Sequence, residues 1–249
     1  MLPCYNGGPY LEQNLQRFQK FLGSLEMSWE LVVVDDGSSD ETAAVLQRLE
    51  STMPGLVVLR NGRNMGKGYA VRNGVLHCSG RLVMFTDPDM TYAWENVGTL
   101  LDRLRAGCRM VVANRRLPDS VYTVKNELVR YVYRRHRTGL LFNLLIRLLF
   151  GLKHTDTQSG LKGFPREVAM AIFERVHTHG YLFDVEVFIV AKKLGLKVEE
   201  IPVHLTYETD YTTVKQIRYF FQLVPELIQI KSLELRGAYN PDSRGAELP

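Results

Sequence analysis

The chain has 249 residues, enough for one large domain or two small ones with a substantial core, and its 45% hydrophobic and 23% charged content is ordinary for a globular fold. A net charge of +4 is mild, and three scattered cysteines (Cys4, Cys78 and Cys108) exclude a disulfide framework or a zinc site, which suits a reducing cytoplasmic setting. No secretory leader, internal repeat or low-complexity tract stands out, and no uninterrupted apolar run reaches the roughly 20 residues a bilayer span needs.

Met1 to Asn6 reads as the last part of a buried strand running into a loop, and Gly7-Gly8-Pro9 turns the chain. Tyr10 to Leu25 has helical spacing, with Leu11, Leu15, Phe18 and Leu22 on one face. Trp29 to Val34 is a second apolar run, ending in Asp35-Asp36-Gly37-Ser38-Ser39-Asp40, which is loop and N-cap chemistry ahead of a helix over Glu41 to Leu49. Leu56 to Leu59 is a third strand. It leads into Arg60 to Gly68, where glycines and Lys67 before a helix suit an anion. That spacing is neither a Walker loop nor a dinucleotide fingerprint, and alone it reads as a turn with a surface lysine.

A fourth strand, Arg81 to Phe85, runs into Thr86-Asp87-Pro88-Asp89. Two carboxylates one residue apart at a strand's carboxyl end, with Pro88 stiffening the link, suit a hard divalent cation that shares oxygen ligands with substrate phosphates. The plainer alternative is a turn that caps the next helix. That helix covers Trp94 to Arg105, and a fifth strand, Met110 to Ala113, ends at Asn114-Arg115-Arg116. Alternating strands and helices predict a mostly parallel sheet covered on both faces, with right-handed crossovers bringing Asn6, Asp36, Asp87, Asp89 and Arg115 to one rim.

Past Arg116 the character changes. Thr123 to Leu152 reads as a two-part helical region with a break at Gly139. Arg130, Arg134 and Arg137 share a face of its first part, and the leucine-rich second part suits either a core or a bilayer interface. Thr155 to Phe164 is a polar loop rising into a strand, and Pro165 opens a helix. Tyr181 to Leu194 is another helix with Asp184 and Glu186 complementing its dipole, Lys197 to Thr206 alternates as a strand, and Val214 to Leu235 is amphipathic with an interruption at Pro225. No linker splits the chain. The expected organisation is one domain over 1–235, with a nucleotide-binding half (1–116), an acceptor and lipid half (117–235), and a polar tail over 236–249.

Six motifs in order carry a resemblance: Pro3-Cys4-Tyr5-Asn6, Val34-Asp35-Asp36-Gly37-Ser38, Asn64-Met65-Gly66-Lys67-Gly68, Asp87-Pro88-Asp89, Asn114-Arg115, and Asp156-Thr157-Gln158-Ser159-Gly160-Leu161-Lys162. From Pro3 to about Leu235 the chain resembles the inverting family 2 glycosyltransferases of GT-A fold, within them the polyprenyl-phosphate sugar synthases, and most of all the dolichyl-phosphate glucosyltransferases. The resemblance implies Pro3, Tyr5, Asn6, Asp35, Asp36, Lys67 and Asp87 around the nucleotide, with Asp36 accepting from the base. It implies Asp87 and Asp89 as ligands of Mg²⁺ or Mn²⁺, and Asp89, Asp87 and Arg115 as the catalytic set. Arg115, Arg130, Arg134, Arg137, Asp156, Gln158, Lys162 and Asp184 would form the acceptor and phosphate side. Against the family pattern the first strand is short, Gly7 stands where an acid is common, and Met90-Thr91 follows the paired acids.

The expected activity is metal-dependent transfer of glucose from a nucleotide sugar to polyprenyl phosphate, by a peripheral protein on the cytoplasmic face of a membrane. UDP-glucose and GDP-mannose both fit as donor, since uracil and guanine each present a ring N–H to Asp36. The rivals are mannosyl transfer, a family member with a soluble or polysaccharide acceptor, and a non-catalytic nucleotide-binding or membrane-docking subunit. No nucleic-acid partner is expected; a second copy or a membrane protein would be compatible.

Overall fold

The alternation of apolar runs with amphipathic stretches builds a layered α/β structure, seen in a computed structural model that describes residues 1–207 and 216–241. The side chains of Tyr131, Arg134, Arg135, His136, Thr138 and residues 216–222 lie outside that description, as do all of residues 208–215 and 242–249. In chain order the elements are β1 (Leu2–Cys4), α1 (Gly8–Gly23), β2 (Leu31–Asp35), α2 (Thr42–Thr52), β3 (Leu56–Arg60), α3 (Lys67–His77), β4 (Leu82–Phe85), α4 (Trp94–Arg105) and β5 (Met110–Ala113). Then follow β6 (Val121–Val124), a single 3₁₀ turn (Asn126–Leu128), α5 (Val129–Phe150), β7 (Lys162–Pro165), α6 (Arg166–Phe173), α7 (Phe183–Lys193), β8 (Val198–Ile201), β9 (His204–Tyr207) and α8 (Gln216–Leu235).

Strands β1, β2 and β3 pair in parallel in that order, and β4-β7-β5-β8 form a second group. Two hydrogen bonds join them: the Met1 ammonium donates to the Met84 carbonyl (2.8 Å), and Thr86 N–H donates to the Met1 carbonyl (3.2 Å). The sheet therefore runs β3-β2-β1-β4-β7-β5-β8. Only β7 runs antiparallel to its neighbours β4 and β5.

Period-2 alternation sends successive side chains to opposite faces. Leu31 and Val33 of β2 pack with Leu11, Leu15, Leu46 and Leu49 of α1 and α2. Val32 and Val34 join Ala70, Val71 and Val75 of α3 in the largest core, which also takes Phe164, Ile172, Phe183, Phe188 and, from α5, Phe142 and Ile146. Met110 and Val112 of β5 belong to that same core, whereas Val111 and Ala113 face Leu100 and Leu104 of α4. Both faces of β2 and β5 are covered, which is why these strands read as unbroken apolar runs.

Four expectations about the elements change, the first at Pro225, which α8 carries inside one helix from Gln216 to Leu235. The segment at Thr123 is strand β6, and the helix begins at Val129. That helix passes through Gly139 unbroken, and the Gly139 carbonyl accepts from Arg116 Nη2 (2.8 Å). The alternating run from Lys197 divides at Pro202, which has no N–H to give a ladder. Its first part, β8, pairs with β5, and its second, β9, pairs in parallel with β6.

Candidate active site

The loops after β1, β2, β4 and β5 meet at the carboxyl ends of their strands. Behind β2, Asp35 Oδ1 accepts from Ser38 N–H (3.0 Å), curling the loop back on the strand end. Asn6, with φ of 52°, accepts from Ser39 N–H (2.9 Å) and donates its own N–H to Ser38 Oγ (2.9 Å), tying the first two loops together. Tyr5 is exposed beside them, while Pro3 is buried within β1.

Asp36 is buried and accepts three protein donors: Asn61 Nδ2 (2.7 Å), Met65 N–H (3.0 Å) and Gly66 N–H (2.8 Å). Asn61 is positioned in turn by Asn73 Nδ2 of α3 (3.1 Å). Gly37, at φ of 68°, lets this loop lie against Arg63, whose backbone carbon a Cβ would meet at 2.3 Å. Neither Asn61 nor Asn73 has a motif that marks it in the sequence; the neighbouring glycines were the available signal.

The glycines around Lys67 also have a structural cause. A Cβ on Gly66 (φ 100°) or Gly68 would strike the carbonyl oxygens of His179 and Thr178 at 2.4 and 2.3 Å. Gly68 N–H donates to the His179 carbonyl (2.7 Å), so this helix terminus is capped by protein carbonyls rather than left open to an anion. Lys67 is not a surface lysine. Its ammonium is half-buried and sits 2.6 Å from Asp87 Oδ1. Burial works to lower it, but Asp87 and Asp184 outweigh that and carry it above the ordinary lysine range.

Asp87 is thus held on one side by Lys67. Its other oxygen lies against Gly160, where a Cβ would be 2.4 Å away. Asn14 of α1 donates to the Pro88 carbonyl (2.8 Å) and fixes the turn, while Asp89 is exposed and accepts from Thr91 N–H (3.1 Å). Met90 takes φ of 57°, an uncommon left-handed conformation for a side chain of its size. Although Asp89 reaches solvent, the atoms crowded around it partly desolvate its carboxyl, and this, followed by the neighbouring Asp87 charge, pushes it above its usual range. Among the described residues no cluster of three or more His, Cys, Asp or Glu side chains gathers to hold a metal. Two carboxylates with the remaining ligands from phosphate and water are the donor set Mg²⁺ or Mn²⁺ takes, so the residues fit such an ion.

Beyond Asp87 and Asp89, the segment 156–162 joins the remaining residues. Arg115 clasps Asp156 through Nε (2.7 Å) and Nη2 (2.8 Å), and Nη2 also donates to the Gln158 carbonyl (3.0 Å). Burial works to raise the Asp156 carboxyl, but the Arg115 charge and hydrogen bonds prevail and hold it at about 2. Tyr92 hydroxyl accepts from Gly160 N–H (2.9 Å) and pairs with Ser159 Oγ (3.0 Å), pinning the segment beneath Asp87. Lys162 is wholly buried, donates to the Ser159 carbonyl and to Asp184 Oδ1 (2.5 Å each), and lies over the Phe85 ring. Burial lowers Lys162 and raises Asp184, and their attraction opposes both shifts.

Glu186 is fully buried and accepts from His177 N–H (2.9 Å), Thr178 N–H (2.7 Å) and Tyr239 hydroxyl (2.7 Å). It therefore ties the loop that caps α3 to Tyr239, just past α8, a role beyond its place in the first turn of α7. Arg130 and Arg137 are exposed on α5; the Arg134 side chain lies outside the described residues. Leu141, Leu144 and Leu148 of α5 are 74%, 49% and 76% exposed, an apolar face that the core does not cover.

An α/β sheet with acids and a basic clasp at its strand ends places its candidate ligand site where open α/β sheets bind ligands. Residues 1–173 match the family described as Glycosyl transferase family 2, and the chain belongs to that family. A dolichyl-phosphate beta-glucosyltransferase of Trichomonas vaginalis is 29% identical over 245 residues, covering 96% of this chain and 74% of the relative. The dolichyl-phosphate beta-glucosyltransferase of Saccharomyces cerevisiae is 28% identical over 234 residues, covering 87% and 68%. Among solved structures, glucosyl-3-phosphoglycerate synthase from Mycobacterium tuberculosis, in complex with Mn²⁺, uridine diphosphate and glucosyl-3-phosphoglycerate, superposes with a TM-score of 0.57 at 20% identity, covering 97% of this chain and 80% of that one. That likeness carries the GT-A fold.

Proposed function

We propose that this protein transfers glucose from UDP-glucose to a polyprenyl phosphate of the dolichyl type, with inversion, at the cytoplasmic surface of a membrane. The similarity to dolichyl-phosphate beta-glucosyltransferases supports the substrate pair. The observation that carries the chemistry is the state of the two acids heading α7. Asp184 is paired with Lys162, and Glu186 is engaged by three donors. A hydroxyl acceptor needs a free general base. A phosphate monoester, with a second pKa of about 6, arrives at neutral pH largely ionised and already nucleophilic.

In this reading the Asp35–Asp36 loop, Asn6 and Tyr5 line the nucleotide, with Pro3 buried behind them in β1 and Asp36 and its Asn61 support toward the base. Asp89, with Asp87, would hold Mg²⁺ or Mn²⁺, which supplies positive charge to the departing diphosphate. Lys67 adds a protein cation beside that diphosphate. Arg115, on the Asp156 and Gln158 clasp, neutralises phosphate as the acceptor oxygen approaches the anomeric carbon in line with the leaving group. Arg130, Arg134 and Arg137 draw the lipid phosphate and anionic head groups toward the cleft. Lys162 and Asp184 neutralise each other beneath it and keep the 159–162 segment in place.

No helix among the described residues is long and apolar enough to cross a membrane. The exposed leucines of α5, with Ile228 of α8 at 65% exposure, suit the boundary between head groups and acyl chains. The test is nucleoside diphosphate release from UDP-glucose or GDP-mannose, with and without polyprenyl phosphate, cation or chelator. Release from UDP-glucose that needs both lipid phosphate and cation is expected. Preference for GDP-mannose would reassign the donor, and release driven by a soluble sugar would overturn the acceptor.

A further inference from the structure

The assignment of Asp87 and Asp89 to a divalent cation leaves a conflict within the cleft. Lys67 Nζ already lies 2.6 Å from Asp87 Oδ1, and Gly160 closes on the other oxygen of the same carboxylate. A cation drawn to exposed Asp89 therefore meets a neighbour whose charge is cancelled and an ammonium that repels it. Lys67 cannot withdraw by moving its backbone. Gly66 and Gly68 are wedged against the 178–180 loop, and Gly68 N–H is bonded to the His179 carbonyl. Only the side chain can swing, and both it and Asp87 remain partly open to the cleft (23% and 30% exposed).

Resting on that assignment, we propose that Lys67 is an exchangeable counter-ion: it occupies Asp87 in the empty cleft and moves to the nucleotide's diphosphate when the donor binds, so that cation and nucleotide bind well only together. The diphosphate gives the displaced ammonium a new anionic partner, and Asp87 becomes available to the metal in the same event. Linkage makes the effect reciprocal: nucleotide tightens cation binding by the factor with which cation tightens nucleotide binding. This arrangement keeps a lone cation from saturating the site and favours loading of the metal–nucleotide pair.

The experiment is Mn²⁺ binding to the full chain, followed by the electron-paramagnetic signal of free Mn²⁺, with and without UDP. It compares the wild type with Lys67→Met, Lys67→Arg and the double variant Lys67→Met/Asp87→Asn, each checked for an unchanged thermal unfolding midpoint. Without UDP, Lys67→Met should bind Mn²⁺ at least about tenfold more tightly than the wild type, because a cation beside the carboxylate has been removed. Lys67→Arg should stay weak, and the double variant should lose the gain. UDP should enhance Mn²⁺ binding strongly in the wild type and much less in Lys67→Met. Lys67→Met binding Mn²⁺ no more tightly than the wild type, while both bind it, would overturn the exchange alone. No Mn²⁺ binding by any folded variant, even with UDP, would overturn the ligand assignment as well.

Discussion

The two halves of the molecule handle charge in different ways. In residues 1–116 the acids behind β2 are held by neutral donors: Asp35 by Ser38 N–H, and Asp36 by Asn61, Met65 and Gly66. In residues 117–235 two buried charges are met by opposite charges, Asp156 by Arg115, which reaches across from the end of β5, and Lys162 by Asp184. Fixed dipoles hold a shape without spending a counter-charge, which suits a pocket for a largely neutral base. A paired cation keeps donors that an incoming phosphate can share, which suits the acceptor side. Lys67 and Asp87 are the exception within the first half, a charge pair that joins the glycine loop to the Asp87-Pro88-Asp89 turn.

The largest break in this contrast is Asp89→Ala. It should lower turnover roughly a hundred- to thousandfold while the fold is retained, since cation stabilisation of the leaving group is lost. Steady-state kinetics with a circular dichroism control checks this, and near wild-type turnover would remove Asp89 from the metal site. Next comes Asp156→Asn, which leaves Arg115 without its charge partner. Depression of the carboxyl from about 3.8 to about 2 corresponds to about 2 kcal/mol of stability. The sign follows from the lowered folded-state pKa: that stability is complete above the unfolded value near pH 4 and disappears as pH falls through about 2. Urea unfolding across pH 2–7 should show the wild-type advantage at neutral pH shrinking over that window, and a constant difference would contradict the pairing.

Smaller effects sharpen the contrast. Asn61→Ala should raise the donor KM about tenfold with little change in kcat, because it removes one donor that orients Asp36. Changes confined to kcat would place Asn61 elsewhere in the cycle. Leu144→Glu with Leu148→Glu should alter folding stability by no more than about 0.5 kcal/mol each, since both side chains are exposed. Vesicle co-sedimentation should nonetheless fall about tenfold with the loss of apolar contact to the acyl boundary. Undiminished sedimentation would move the membrane contact off α5.

Much of the first half was legible because its signals are local. Strands β2 and β5, buried on both faces, are short apolar runs, and each ends in charge at the rim. The second half resisted for the opposite reason. Strand β6 is four residues whose partner, β9, lies some eighty residues later, and β7 inserts antiparallel between β4 and β5, both far from it in sequence. Residue types gave Asp87, Asp89 and Arg115 as chemically pointed. They could not show that Lys67 turns inward to Asp87, or that the helix-dipole acids Asp184 and Glu186 have dedicated partners, since those contacts join distant segments. Gly139 suggested a break, but a single glycine costs a helix only about 1 kcal/mol, and α5 runs through it.

In the proposed reaction a phosphate, rather than a hydroxyl, is the nucleophile. The most direct measurement offers labelled UDP-glucose and cation to the wild-type protein on vesicles carrying either polyprenyl phosphate or the matching free polyprenol, and counts label extracted into the organic phase. Label should enter the lipid only with the phosphate and should release as glucose on mild acid. Equal transfer to the free alcohol, or transfer to neither lipid alongside turnover with a soluble sugar, would contradict it.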